Sequence, residues 1–115
     1  MFDGKKYLVT GGCGFIGSHL VEALCEKGAL VTVVDDLSTG NRENLPSNFD
    51  ARNLIVGDLC ELDVNALDQV NGVFHFAAQS SVPLSLDEFY KSSKNNILSA
   101  NRAIDVCIRQ KIPLV

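Results

Sequence analysis

Short apolar runs alternate along the chain with longer stretches in which apolar residues recur every three or four positions. The first run, Lys6 to Thr10, predicts a strand. It leads through Gly11, Gly12, Cys13 and Gly14 into helical spacing from Phe15 to Lys27, with Ile16, Leu20, Ala23 and Leu24 on one face and Gly28 as the stop. Ala29 to Val34 is continuous and rich in β-branched residues, the pattern of a parallel strand buried on both faces. The alternation then repeats, with Arg52 to Val56 as a third strand, Val64 to Val70 as a short helix and Gly72 to Phe76 as a fourth strand. A long helix follows over roughly Asp87 to Gln110, its apolar positions Phe89, Ile97, Ala100, Ile104 and Ile108 in helical register, and Ile112 to Val115 reads as the first residues of a fifth strand. Strands alternating with helices pair in parallel through right-handed crossovers. The expected fold is therefore α/β, a doubly wound parallel sheet in the order 3-2-1-4-5 that stops after strand 5 begins. Nothing resembles a linker, so residues 1–115 are expected to form one domain, with the irregular stretch Asp36 to Asn48 at its ligand-facing rim.

Composition narrows the partners. Hydrophobic residues are 46% and charged residues 21% of the 115, as in an ordinary globular protein. A formal net charge of −4 gives no electrostatic reason to bind nucleic acid or an anionic membrane, which leaves a small molecule as the expected partner. No apolar run approaches the roughly 20 residues of a membrane span, and the first residues pass into a strand without a signal-peptide pattern, so a cytoplasmic setting is expected. Cys13, Cys25, Cys60 and Cys107 are widely spaced, without a C-x-x-C pair or a histidine cluster. They read as reduced small hydrophobes and imply no metal. Cys13 alone invites a reservation, because a helix N-terminus following its turn would lower its pKa.

Candidate chemistry starts at the first turn. In Thr10-Gly11-Gly12-Cys13-Gly14-Phe15-Ile16-Gly17 the glycines at 11, 14 and 17 fall three apart, between a strand and a helix. Gly11 permits a tight turn, Gly14 lets backbone approach a pyrophosphate, and Gly17 lets helix and strand pack closely. The free N–H groups of the helix's first turn then face the phosphates. Asp35 ends the second strand, eighteen residues after Gly17. Its carboxylate is placed to accept hydrogen bonds from both hydroxyls of an adenosine ribose and to repel a 2′-phosphate, which favours NAD over NADP. A turn-capping role is open to Asp35 as well, and Asp36 is ambiguous between the two roles.

These residues carry a resemblance. The run Thr10-Gly11-Gly12-x-Gly14-Phe15-Ile16-Gly17-Ser18-His19-Leu20, followed by Asp35-Asp36-Leu37-Ser38-Thr39-Gly40, resembles the extended short-chain dehydrogenases, and among them the NAD-dependent nucleotide-sugar epimerases and dehydratases. The resemblance spans the whole chain and implies a Rossmann domain that holds NAD. It implies cofactor contacts at Phe15, Ile16, Asp36, Ser38, Thr39 and Gly40 beside the glycines and Asp35. By the same resemblance Asp58 and Leu59 match a pair that contacts adenine, Phe76, Ala77 and Ala78 match a loop under the ribose and pyrophosphate, and Asn96 matches an asparagine that supports the active site from below. Capping of the helix after it is the alternative for Asp58. His75 and His19 read as satisfied structural residues. Ser99 and Ala100 depart from the family, which usually has Gly and Thr there.

Tyr90 and Lys94 have the Tyr-x-x-x-Lys spacing of the family's catalytic pair. That pair belongs on the helix after the fifth strand, with a catalytic Ser or Thr just after that strand, whereas Tyr90 precedes the strand and Ser80 and Ser81 follow strand four. Tyr90 and Lys94 therefore read as ordinary helix residues, no residue of the chain is expected to be catalytic, and the 115 residues alone are expected not to turn over. Nucleotide sugars are the substrates the resemblance implies, with hydride passing transiently to NAD and with epimerisation, dehydration and decarboxylation all open. A stand-alone dinucleotide-binding or sensor module is the alternative. The helix around 87–110 is implied in a homodimer, and self-association is expected of the chain by itself.

Overall fold

The computed structural model describes residues 2–63, 67–77 and 86–115, apart from the side chains of Leu86, Phe89 and Ser92. Four strands, β1 (Lys6–Thr10), β2 (Leu30–Asp35), β3 (Leu54–Val56) and β4 (Gly72–His75), form one sheet in the order β3-β2-β1-β4. All pairings are parallel. The expected doubly wound order is thus present, and the fifth position is occupied by the last residues of the chain. Leu114 bridges Val73 in parallel, His75 N–H donates to Val115 C=O at 2.8 Å, and Val115 N–H donates to Val73 C=O at 2.9 Å.

Helices α1 (Phe15–Glu26) and α2 (Leu86–Gln110) provide the crossovers, and each packs against its own apolar cluster. Val9, Val21, Leu24, Val31 and Val33 bury one face of the sheet, while Leu8, Val34, Val73, Ala103 and Val106 bury the other. Near-continuous apolar strands are what a sheet covered on both faces requires. Gly28 stops α1 as expected, with φ +82°, and its N–H donates to Cys25 C=O at 3.1 Å while Ala29 N–H reaches back to Leu24 C=O at 3.0 Å. This paired return is the Schellman arrangement, which satisfies two carbonyls that the helix end leaves open.

Several expectations need correction. On α1 the buried residues are Gly17, Ser18, Val21 and Leu24, whereas Ile16 and Ala23 are exposed. The helix is rotated because Gly17 must face the Gly11 carbonyl, and that contact fixes which residues follow it inward. The third strand is shorter than Arg52 to Val56. Ala51–Asn53 forms a 3-10 turn instead, capped by Asp50, whose Oδ1 accepts from Arg52 N–H at 3.0 Å. The helix expected over Val64 to Val70 is not found among its described residues, since Leu67 to Val70 is irregular and 64–66 lie outside the described residues. A 3-10 turn at Leu59–Glu61 precedes that segment. On α2 the sheet-facing residues are Ser99, Ala103, Val106 and Cys107, while Ile97, Ile104 and Ile108 of the apolar stripe point outward.

Candidate functional site

The parallel register sets Thr10 beside Val34 and His75, and Asp35 beside Val56, so four strand ends open on one edge of the sheet. Strand order reverses between β1 and its neighbours there, and crevices at such reversals are where open α/β sheets hold ligands. A cleft lies at this edge. Gly11 and Gly14 line it from the first turn, Asp35, Asp36, Ser38 and Thr39 from the end of β2, and Asp58 and Leu59 from beyond β3. Phe76, Ala77 and Asn96 close the far side.

The first turn is shaped by missing side chains. A Cβ on Gly11, which has φ +70°, would sit 2.6 Å from the Phe76 carbonyl carbon, and one on Gly17 would sit 2.2 Å from Gly11 O. Both are contacts with backbone, which has little room to give. Gly14 is different, because a Cβ there would meet only Gly11 O, at an ordinary 3.4 Å. Internal packing does not demand a glycine at 14, but a ligand approaching the backbone from the cleft would. Gly14 is also the N-cap of α1, no side chain caps that end, and its first turn holds no acidic residue. Free N–H groups and the positive end of the helix dipole are thus presented without an internal competitor, an arrangement that fits a pyrophosphate. Phe15 and Ile16, the first two residues of α1, are not in the cleft lining. Their side chains are 79% and 65% exposed, with the Phe15 ring set edge-on to His19.

Asp35 is buried, and each of its oxygens is engaged. Oδ2 accepts from Cys13 N–H at 2.9 Å, and Oδ1 accepts from Leu37 N–H at 2.8 Å. Its turn-capping role is therefore present, while the carboxylate still lines the cleft and keeps lone pairs beyond those two bonds. Leu37, at φ +62°, turns the chain sharply after it. Asp36 is exposed, and its Oδ1 closes the next turn by accepting from Ser38 N–H and Ser38 Oγ–H at 2.9 and 2.7 Å. The rim loop is strapped to the glycine turn on the other side as well. Asn41 N–H and Asn44 Nδ2 both donate to Cys13 C=O, at 3.1 and 2.9 Å, and Gly40 packs against the Cys13 peptide. Cys13 is fully buried, and burial, followed by the negative charge of Asp35, pushes its thiol up to about 11. The expected lowering by the helix N-terminus is overturned, because desolvation penalises the thiolate more strongly. All four cysteines are free thiols.

Asp58 carries the capping role foreseen for it, but on a short turn. Its Oδ1 accepts from Cys60 N–H at 2.9 Å at the head of Leu59–Glu61. Across the cleft a single buried hydroxyl organises the exit of β4. Thr10 Oγ1 accepts from Phe76 N–H at 3.1 Å and from Ala77 N–H at 3.2 Å, and lies 2.6 Å from His75 Nδ1. Phe76 N–H also donates to the Thr10 backbone C=O at 2.9 Å, so the hydroxyl keeps room to accept, and the neutral His75 ring pairs with it through a proton whose side is set by the imidazole tautomer. Burial lowers the His75 pKa in keeping with that state. Ser99 Oγ donates from α2 toward Ala77 C=O at 3.2 Å and Asn96 C=O at 3.1 Å. Ala78, Ser80 and Ser81 lie outside the described residues. Tyr90 and Lys94 are exposed and take no part in the cleft lining. Sequence reasoning did not place Val34, Gly57, Asn95 and Ser99 in the lining, where the structure puts them. The short side chain at 99, noted as a departure, was the available signal for one of them.

Comparison with known proteins assigns the chain a family and matches its fold. Residues 7–115 match the model of the NAD dependent epimerase/dehydratase family. The chain belongs to that family. The UDP-glucose 4-epimerase of Corynebacterium glutamicum is 41% identical over 102 residues, covering 87% of this chain and 30% of its own length. The structure of UDP-N-acetylglucosamine 4-epimerase from Methanobrevibacter ruminantium, in complex with UDP-N-acetylmuramic acid, superposes with a TM-score of 0.83 at 42% identity, over 97% of this chain and 36% of that one. The Thermus thermophilus UDP-glucose 4-epimerase complex with NAD gives 0.76 at 35% identity, over 93% and 35%. The chain thus spans about a third of the length of the family members it matches. Among the described residues no helix is long and apolar enough to cross a membrane.

Proposed function

We propose that residues 1–115 are a dinucleotide-binding domain that holds NAD for an epimerase or dehydratase acting on nucleotide sugars. The observation that carries this reading is the uncapped, acid-free N-terminus of α1, headed by Gly14, opening on the same cleft as the buried Asp35 carboxylate. In this proposal the first-turn amides hold the pyrophosphate, Asp35 accepts from the adenosine ribose hydroxyls, and Asp58 and Leu59 flank the adenine. Phe76, Ala77 and Asn96, on the far side of the cleft, are assigned to the nicotinamide ribose and the adjoining pyrophosphate, and Ala78 is assigned there by the family resemblance alone. Bound NAD supplies a reversible hydride acceptor. The chain's own residues bind and orient it, and the neutral, occupied His75 takes no part in proton transfer. Tyr90, Ile97, Ile104 and Ile108 share an outward face of α2 and are proposed as the homodimer contact.

Titration of the purified chain with NAD by calorimetry, with NADP as the control, tests the cofactor reading. Binding of NAD with much weaker binding of NADP is the expected result. Equal affinities would remove Asp35 from its proposed role, and binding of neither would remove the domain's proposed function.

A further inference from the structure

Ala77 is gripped at both ends of its backbone by hydroxyls that come from different parts of the chain. Its N–H donates to Thr10 Oγ1, at the end of β1, and its C=O accepts from Ser99 Oγ, on α2. Ser99 is buried, reaches the cleft, and has one proton for two acceptors, Ala77 C=O and its own helix's Asn96 C=O. A back-bond to the carbonyl three residues earlier is a common resting state for helical serine. The second acceptor lies outside the helix and ties α2 to the loop that leaves β4.

We propose that Ser99 is a positioning residue for the bound dinucleotide: its hydroxyl holds the Ala77 peptide in the floor of the cleft and sets affinity for the ligand half lying over Phe76 and Ala77. The inference rests on the cofactor reading above. It assigns Ser99 a local effect, because Gly14 and Asp35, which serve the pyrophosphate and adenosine ribose, make no contact with Ser99 through this bond. ADP, which keeps the pyrophosphate but lacks the nicotinamide nucleoside, should sense the hydroxyl less than NAD does.

Ser99→Ala removes only the hydroxyl and leaves a good helix former. Calorimetry on the wild-type chain and on Ser99→Ala, each titrated with NAD and with ADP, reads the split. A three- to tenfold loss of NAD affinity with a clearly smaller loss for ADP is expected. An equal loss for both ligands, or none for either, overturns the proposal, the first by making Ser99 merely structural. The carbonyl carbon resonance of Ala77, followed by NMR in the ligand-free chain, tests the bond itself. It should move in Ser99→Ala while the carbonyls of β1 and β2 stay in place, and an unmoved Ala77 resonance overturns the inference whatever the ligands do. Failure of the wild-type chain to bind NAD and ADP at all overturns the cofactor reading, and the positioning role with it.

Discussion

Where β1 turns into α1, the cleft owes its shape to atoms that are missing. Gly11 and Gly17 let three backbone segments approach to distances that a Cβ would forbid, and Gly14 leaves an open path to the helix amides. Where β4 turns toward α2, the cleft depends on atoms that are present. The hydroxyls of Thr10 and Ser99 hold the backbone of Phe76 and Ala77 by side-chain bonds from distant parts of the chain. The first wall is fixed by steric exclusion, which is unforgiving and local. The second is fixed by individual hydrogen bonds, each contributing on the order of 1 kcal/mol and each replaceable. The glycine wall should therefore fail all at once, and the hydroxyl wall by degrees.

The largest effect is expected at Gly17. Gly17→Ala sets a methyl 2.2 Å from Gly11 O, and relief requires the helix to move off the strand. A destabilisation on the order of 3 kcal/mol is expected, with loss of NAD binding, measured by urea denaturation and calorimetry. Asp35→Ala comes next. It strips two bonds from a buried carboxylate, leaves the Cys13 N–H without its acceptor, and should lower stability by about 2–3 kcal/mol while erasing the preference for NAD over NADP. On the hydroxyl wall, Thr10→Val should lower stability by about 1–2 kcal/mol and Thr10→Ser should restore most of it, by the same denaturation assay.

The smallest effect is a slope with pH. Burial lowers the His75 pKa below its ordinary 6.5, so the unfolded chain takes up this proton more readily than the folded one. The stability tied to neutral His75 is complete above pH 6.5 and is lost as pH falls through the lowered folded value. Urea midpoints measured from pH 8 to 5 should fall in the wild type and fall less steeply in His75→Asn.

The same contrast explains what was legible in the sequence. Glycines three apart between an apolar run and a helical one record a steric demand within eight residues, and the first wall could be read from them. Short apolar runs marked β1 and β4, and a β-branched run marked β2, because these patterns too are local. A hydroxyl partner leaves no such local trace, since Thr10 and Ala77 are 67 positions apart and Ser99 and Ala77 are 22 apart. The rotation of α1 was missed because Gly17, the smallest residue in the segment, decides it, while apolar periodicity weights Ile16. The head of the third strand was missed because Asp50 engages Arg52 through its backbone and its guanidinium, turning the chain before Leu54. On α2 the periodic isoleucines were visible, but their outward face was not, because small residues at 99 and 103 are what fit against the sheet.

The Cys13 peptide is held on both sides, its N–H by Asp35 and its C=O by Asn41 and Asn44. A turn anchored in this way is already in its binding shape and has no slow closing step to wait for. Association with NAD should then be governed by encounter alone. In stopped-flow experiments the observed rate should climb linearly with NAD concentration without levelling off, and the residence time, rather than the speed of capture, should be what substitutions along either wall alter.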